Sequence, residues 1–145
     1  MTVPEWRQLP IISGRTAQDL LDAERGPVEV SLDLGRSRSL VLVEAGGFRL
    51  PDDTFTSAEA LRDAFSDPED CVLLRPDGPE KVYHYSEERR CYYKLFQPFA
   101  GKAPTIVING ATMHTVVNKD PWQDAEDKVS TLRHVRGRCL DTCCG

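Results

Sequence analysis

The chain has 145 residues, 40% of them hydrophobic and 28% charged, with a formal net charge of −5. That length and apolar fraction suit a folded core and exclude a disordered tail, while the acidic balance speaks against a general nucleic-acid surface. No apolar run approaches the roughly 20 residues that span a bilayer, and the amino terminus lacks the charged-then-apolar layout of a secretion signal, so a cytoplasmic protein is expected.

Taken in order, residues 1–10 carry Pro4, Pro10 and Trp6 without periodicity and predict an arm docked by its tryptophan. Thr16 caps a predicted helix over residues 17–25, with Leu20 and Leu21 buried and Gly26 and Pro27 as its stop. Val28, Val30, Leu32 and Leu34 alternate strictly, and an apolar run at 40–43 follows Arg36, Ser37 and Arg38, which predicts two adjacent strands. Gly46 and Gly47 turn the chain into a third short strand at 48–50. Thr56, Ser57 and Glu59 form a capping-box pattern that opens a helix over 57–65, its Leu61, Ala64 and Phe65 facing inward. Strands at 71–74, 81–85 and 91–96, joined by Pro76, Asp77 and Gly78 and by the turn at 86–90, read as an antiparallel meander. Tyr83, Tyr85, Tyr92, Tyr93 and Phe96 alternate on these strands and are expected to pack across them rather than to stack on nucleic-acid bases; His84 is expected to be structural. Residues 98–104 form a linker rich in proline and glycine, and 105–108 give another apolar strand.

The last stretch, 120–145, has the densest signal. Asp120 suits a helix N-cap, Pro121 suits the first helical turn and Gln123 the capping-box position. Trp122, Ala125, Val129 and Leu132 recur at spacings of three and four, an apolar stripe expected to pack on a sheet or domain surface, and Gly137 is placed to end the helix. Residues 138–140 then read as a short strand delivering Asp141 into the small-residue turn of Thr142, Cys143, Cys144 and Gly145. A helix, a short strand, an acid and a small-residue turn resemble the way a doubly wound α/β domain begins its first ligand loop.

These residues resemble predicted class I S-adenosylmethionine-dependent methyltransferases common in archaea, with their DPW, an acid, a helix and then LDTC-x-G. The segments EVSLDLG at 29–35 and APTIVINGATMH at 103–114 are similar to stretches of the same proteins. The resemblance implies an α+β chain: a small, mostly antiparallel amino-terminal domain over 1–100, a connector over 101–118, and over 119–145 the first helix and strand of a Rossmann-like α/β methyltransferase domain, truncated inside its cofactor loop. It implies S-adenosylmethionine as cofactor, with Asp141, Thr142, Cys143 and Gly145 as the residues that begin to hold it. Cys143 stands where the general loop has its first glycine, so the turn must use an ordinary conformation there. The chain by itself is expected to be inactive, and the methyl acceptor is not readable.

His114 is the candidate catalytic residue, a general base or acceptor contact with Trp122 as a stacking wall; equally, it reads as a hydrogen-bonded surface histidine. Asp120 reads as a cap. Five cysteines without a regular framework suit a reducing compartment. A zinc set from His134, Cys139, Cys143 and Cys144 lacks the usual ligand spacing, so no metal is expected. A catalytic thiol at Cys143 or Cys144 is set aside, because methyl transfer by alignment needs no such nucleophile. The alternatives to a methyltransferase are an aminopropyl transferase of the spermidine-synthase type and a non-enzymatic β-rich binding module.

Overall fold

The computed structural model describes residues 9–132 and 136–138. In chain order the elements are β1 (Ile11–Ser13), α1 (Gly14–Asp22), β2 (Gly26–Val30), β3 (Ser39–Glu44), β4 (Gly47–Arg49), β5 (Phe55–Ser57), α2 (Ala58–Asp63), β6 (Cys71–Arg75), β7 (Gly78–Lys81), β8 (Tyr83–Ser86), β9 (Cys91–Phe96), β10 (Thr105–Ile108), β11 (Ala111–Thr112) and α3 (Pro121–Ser130). The strands form three sheets in the orders β1-β6-β7, β2-β3-β4-β5 and β11-β10-β9-β8, and every pairing between strands is antiparallel.

This corrects the expected fold class. Among the described residues no Rossmann-like α/β arrangement is present; a single isolated bridge between Ile11 and Asp33 is parallel. The reason lies in the connections: most run through short turns, which return the chain beside the strand it left, whereas a parallel neighbour needs a crossover of a dozen or more residues. The expected strand at 138–140 and the loop after it fall on residues outside the described ones, apart from Arg138 itself.

Several boundaries move for local reasons. Helix α1 starts three residues before the expected 17 because Ser13, not Thr16, is the cap: Ser13 Oγ accepts from Thr16 N at 3.2 Å. Likewise Ser57 caps α2 through Ala60 N at 3.3 Å, leaving Thr56 in β5 with a buried hydroxyl that has no partner. The single strand expected at 81–85 is two, because Val82 changes partners. Its N–H donates to Cys71 O at 2.8 Å in the first sheet, while its carbonyl accepts from Leu95 N at 3.1 Å in the third.

The core is built from Ile12, Ala17, Leu20, Val30, Val41, Val43, Phe48, Leu50, Leu61, Val72 and Leu74, drawn from the first two sheets and both short helices. In β3 the buried residues are Val41 and Val43, whereas Leu40 and Leu42 point outward, the period-two signature of a half-buried sheet. The third sheet is joined to this core through polar contacts. Asp70, fully buried at the start of β6, has one carboxylate oxygen bonded by Ser66 N and Asp67 N, both at 3.0 Å, and by Lys81 Nζ at 2.6 Å, while Lys94 Nζ of β9 stands 3.5 Å from the other. Arg15 of α1 pairs with Glu69 at 2.9 Å and donates to the carbonyls of Gln97 and Pro98.

Helix α3 begins as expected, with Asp120 accepting from Gln123 N at 3.1 Å and Pro121 in its first turn. Its orientation is not the expected one. Trp122, Val129 and Leu132 are exposed by more than half, and the buried residues are Pro121 and Asp124. Asp124 takes Thr115 N at 3.1 Å and pairs with Lys128, so a carboxylate rather than the apolar stripe fastens the helix to the β-rich body.

Candidate functional site

The segment 31–37 folds on its own hydrogen bonds. Ser31 Oγ donates to Asp33 Oδ1 at 2.8 Å and accepts from Gly35 N at 2.6 Å, and Asp33 accepts from Arg36 N at 2.9 Å, Ser37 N at 2.8 Å and Ser37 Oγ at 2.6 Å. Short polar side chains that bond backbone a few residues on build such turns. Burial pushes the Asp33 carboxyl up, but the bonds from Ser37, Ser31 and Arg36 outweigh it and the group is held below its ordinary range.

The turn needs left-handed backbone at Leu34, φ 58°, and at Gly35, φ 102°. Glycine at 35 is also demanded by space, since a Cβ there would lie 2.6 Å from the Gly101 carbonyl oxygen. That close approach brings the loop at 97–104 against the loop at 31–37. Gln97 locks the two together: buried to 2% exposure, it donates from Nε2 to Leu34 O at 2.9 Å and to Lys102 O at 2.7 Å.

Between these loops and the start of α3 lies a groove of about 610 Å³. Its walls are Leu32, Leu34, Ala103, Pro104 and the exposed indole of Trp122, with Leu9 and Ile11 at one end and Arg36, Lys102, Asp33 and Asp120 as its charged groups. Asp33 and Asp120 are engaged in turn and cap bonds, and Lys102 Nζ stands 4.0 Å from Asp120. The groove therefore offers apolar surface, one flat aromatic wall and two cations beside two internally bonded carboxylates. Such a surface can orient an amphipathic molecule; it holds no evident nucleophile.

Of the residues singled out by sequence, Asp120 and Trp122 line this groove, whereas His114 is not among its lining residues. His114 Nδ1 lies 2.9 Å from Thr105 Oγ1, which also accepts the His114 N–H at 3.3 Å, so the imidazole is tied to β10. Asp141, Thr142, Cys143 and Gly145 lie outside the described residues, as do His134, Cys139 and Cys144 of the zinc set. Sequence reasoning missed Gln97, Gly35, Arg36 and Lys102. The serine and aspartate at 31 and 33, two positions apart before a glycine, were the readable signal of a built turn.

A second groove, about 360 Å³, runs along the third sheet beside Leu73, Tyr93, Leu95 and Ile106. The aromatic group packs across the strands in part, but not in the core: Tyr92, Tyr93 and Phe96 are half-buried, while Tyr83 and Tyr85 are 49% and 51% accessible. Tyr83 stacks on Tyr92 with ring centroids 5.7 Å apart, and His84 on Tyr93 at 6.5 Å. Both pairs sit on the β8–β9 hairpin, of which β9 lies between β10 and β8 and β8 is the edge strand. Among the described residues no helix is long and apolar enough to cross a membrane.

No family model matches the chain. It is similar to an uncharacterized protein of Methanocaldococcus jannaschii, MJ1233, at 27% identity over 139 residues, a match that covers 92% of this chain and 46% of that protein. The chain thus spans less than half the length of that relative.

Proposed function

We propose that the chain is the amino-terminal part of an S-adenosylmethionine-dependent methyltransferase and that the 610 Å³ groove forms a wall of the place where the methyl acceptor is held. The observation that carries this reading is convergence. Of the stretches that carry the resemblance, the three among the described residues, at 29–35, at 103–114 and at 120–122, are up to 90 residues apart, yet each contributes to the lining of that one groove. Similarity in a longer archaeal protein accords with the reading.

S-adenosylmethionine, when bound, supplies the methyl group. The described residues would contribute position: Trp122 a flat wall, Leu32, Leu34 and Pro104 a dry surface, Arg36 and Lys102 charge. Holding an acceptor in line is the main source of rate in such a transfer, which is why a groove without a nucleophile suits it.

The test is calorimetric titration of S-adenosylmethionine into the protein extended through the region that corresponds to the rest of the archaeal relative. Saturable binding that disappears in Asp141→Ala is expected. Absence of any binding heat would sink the enzyme reading and leave a β-rich binding module in its place.

A further inference from the structure

The third sheet ends on an edge that the others do not resemble. An unpaired edge strand is a template for another strand, and proteins blunt such edges with proline, with very short strands or with a covering segment. Among the described residues, β2 carries Pro27, β7 carries Pro79, β5 has three residues and β11 two. On its outer side β1 has Ile11 N bonded to Leu32 O at 2.8 Å. Strand β8, Tyr83–Ser86, is one residue longer than β5, carries no proline and, among the described residues, pairs with β9 and has no segment bonded to its outer side.

Its bonding pattern says which groups are free. Leu95 N donates to the Val82 carbonyl, and the register sets His84 opposite Tyr93, so at alternate positions the backbone of Val82, His84 and Ser86 faces β9. The N–H and C=O of Tyr83 and Tyr85 then face outward. The sequence at this edge, Tyr83, His84, Tyr85, reads the same in both directions.

We propose that β8 pairs antiparallel with β8 of a second copy of this chain, about a two-fold axis at His84. In that register Tyr83 of each copy lies opposite Tyr85 of the other, on one face of a continuous eight-stranded sheet, and their outward amides and carbonyls bond reciprocally. The exposed tyrosines, of which Tyr83 already stacks on Tyr92 within each copy, extend into cross-strand aromatic pairs. In the same register Glu87 comes beside Lys81 of the second copy, whose ammonium is already held by Asp70, and Glu88 beside Glu80, so the pairing rests on the backbone bonds and the tyrosines and not on charge. A two-fold pairing closes on itself, which is why a single unprotected edge gives a dimer and not a fibre.

The register gives a direct test. His84 and its copy form a non-hydrogen-bonded pair with Cα atoms about 4.5 Å apart, within disulfide reach. In a background with Cys139, Cys143 and Cys144 replaced by serine, His84→Cys is expected to give a disulfide-linked dimer under mild oxidation, while Ser86→Cys, which would face Val82 rather than itself, is not. Absence of the His84→Cys cross-link overturns the proposal. Sedimentation of the unaltered chain should show a monomer–dimer equilibrium. A monomer at every concentration overturns it equally, whatever else covers the edge. Neither outcome bears on cofactor binding, so this proposal and the methyltransferase reading stand or fall separately.

Discussion

Asp70 has no solvent exposure, and a bare carboxylate there would be driven to take up a proton. Burial does push its pKa up, but the ion pair with Lys81 and the amides of Asp67 and Ser66 prevail and hold it at about 2, against an ordinary 3.8. A folded-state pKa below the unfolded one stabilises the fold above pH 3.8, and that stability is lost as pH falls towards 2. The difference corresponds to about 2 kcal/mol. We predict that Asp70→Asn loses at least about 2 kcal/mol at pH 7, with Lys81 and Lys94 left without a counter-charge. Denaturant unfolding of both proteins across pH should show the gap closing as the unaltered chain is brought towards pH 2. Next to it, the Cys71 thiol is pushed up to about 12, first by burial and then by the Asp70 charge. Its alkylation at pH 8 should therefore follow global unfolding, and fast labelling of the native chain would contradict this placement.

Element by element, α3 separates what a sequence pattern can give from what it cannot. The cap at Asp120 and the proline at 121 were legible because capping is a matter of a few adjacent residues. The apolar stripe was legible too, but a stripe does not say what it faces, and here the fastening falls to Asp124, a side chain that any hydropathy pattern assigns to solvent. Val129→Gln should accordingly change the stability of this chain by no more than about 0.5 kcal/mol, as for any exposed site. By contrast, Asp124→Asn should speed amide exchange throughout α3 and at Thr115, because the Lys128 pairing and the Thr115 cap both weaken. Equal exchange in the two variants would mean that the stripe, not the carboxylate, holds the helix. Strands were likewise legible where β2, β3, β9 and β10 lie, but the alternation read from Val28 to Leu34 runs past the end of β2 at Val30 into a turn that its own serine and aspartate build. The split of one expected strand into β7 and β8 was not, since alternation records which face a side chain takes and never which strand lies alongside, and Val82 is where the partner changes. The groove had the same limit: its three stretches could be read one by one, while their meeting depends on Gly35 fitting under Gly101 and on one glutamine.

For the molecule as a whole, the question is what makes three small sheets unfold together. The apolar core belongs to the first two sheets, and the third is tied on by Asp70 with Lys94, by Arg15 with the carbonyls at 97 and 98, and by Gln97 with the carbonyls at 34 and 102. Gln97 spans two loops from a buried position, so Gln97→Met keeps the volume while leaving two carbonyl acceptors without their donor. A buried polar group deprived of its partner costs about 1–3 kcal/mol, and two such groups place the loss at the upper part of that range. If polar ties carry the coupling between sheets, the variant should lose more than stability. The third sheet would open ahead of the rest, so the slope of unfolding free energy with denaturant would fall and tyrosine fluorescence, all of it from β8 and β9, would change before far-ultraviolet dichroism. Coincident transitions with an unchanged slope would show instead that the strand continuity through Val82 couples the sheets without help from Gln97. Ligand binding at the groove should then be little altered in the same variant, whereas loosened loops at 31–37 and 97–104 would weaken it together with the cooperativity.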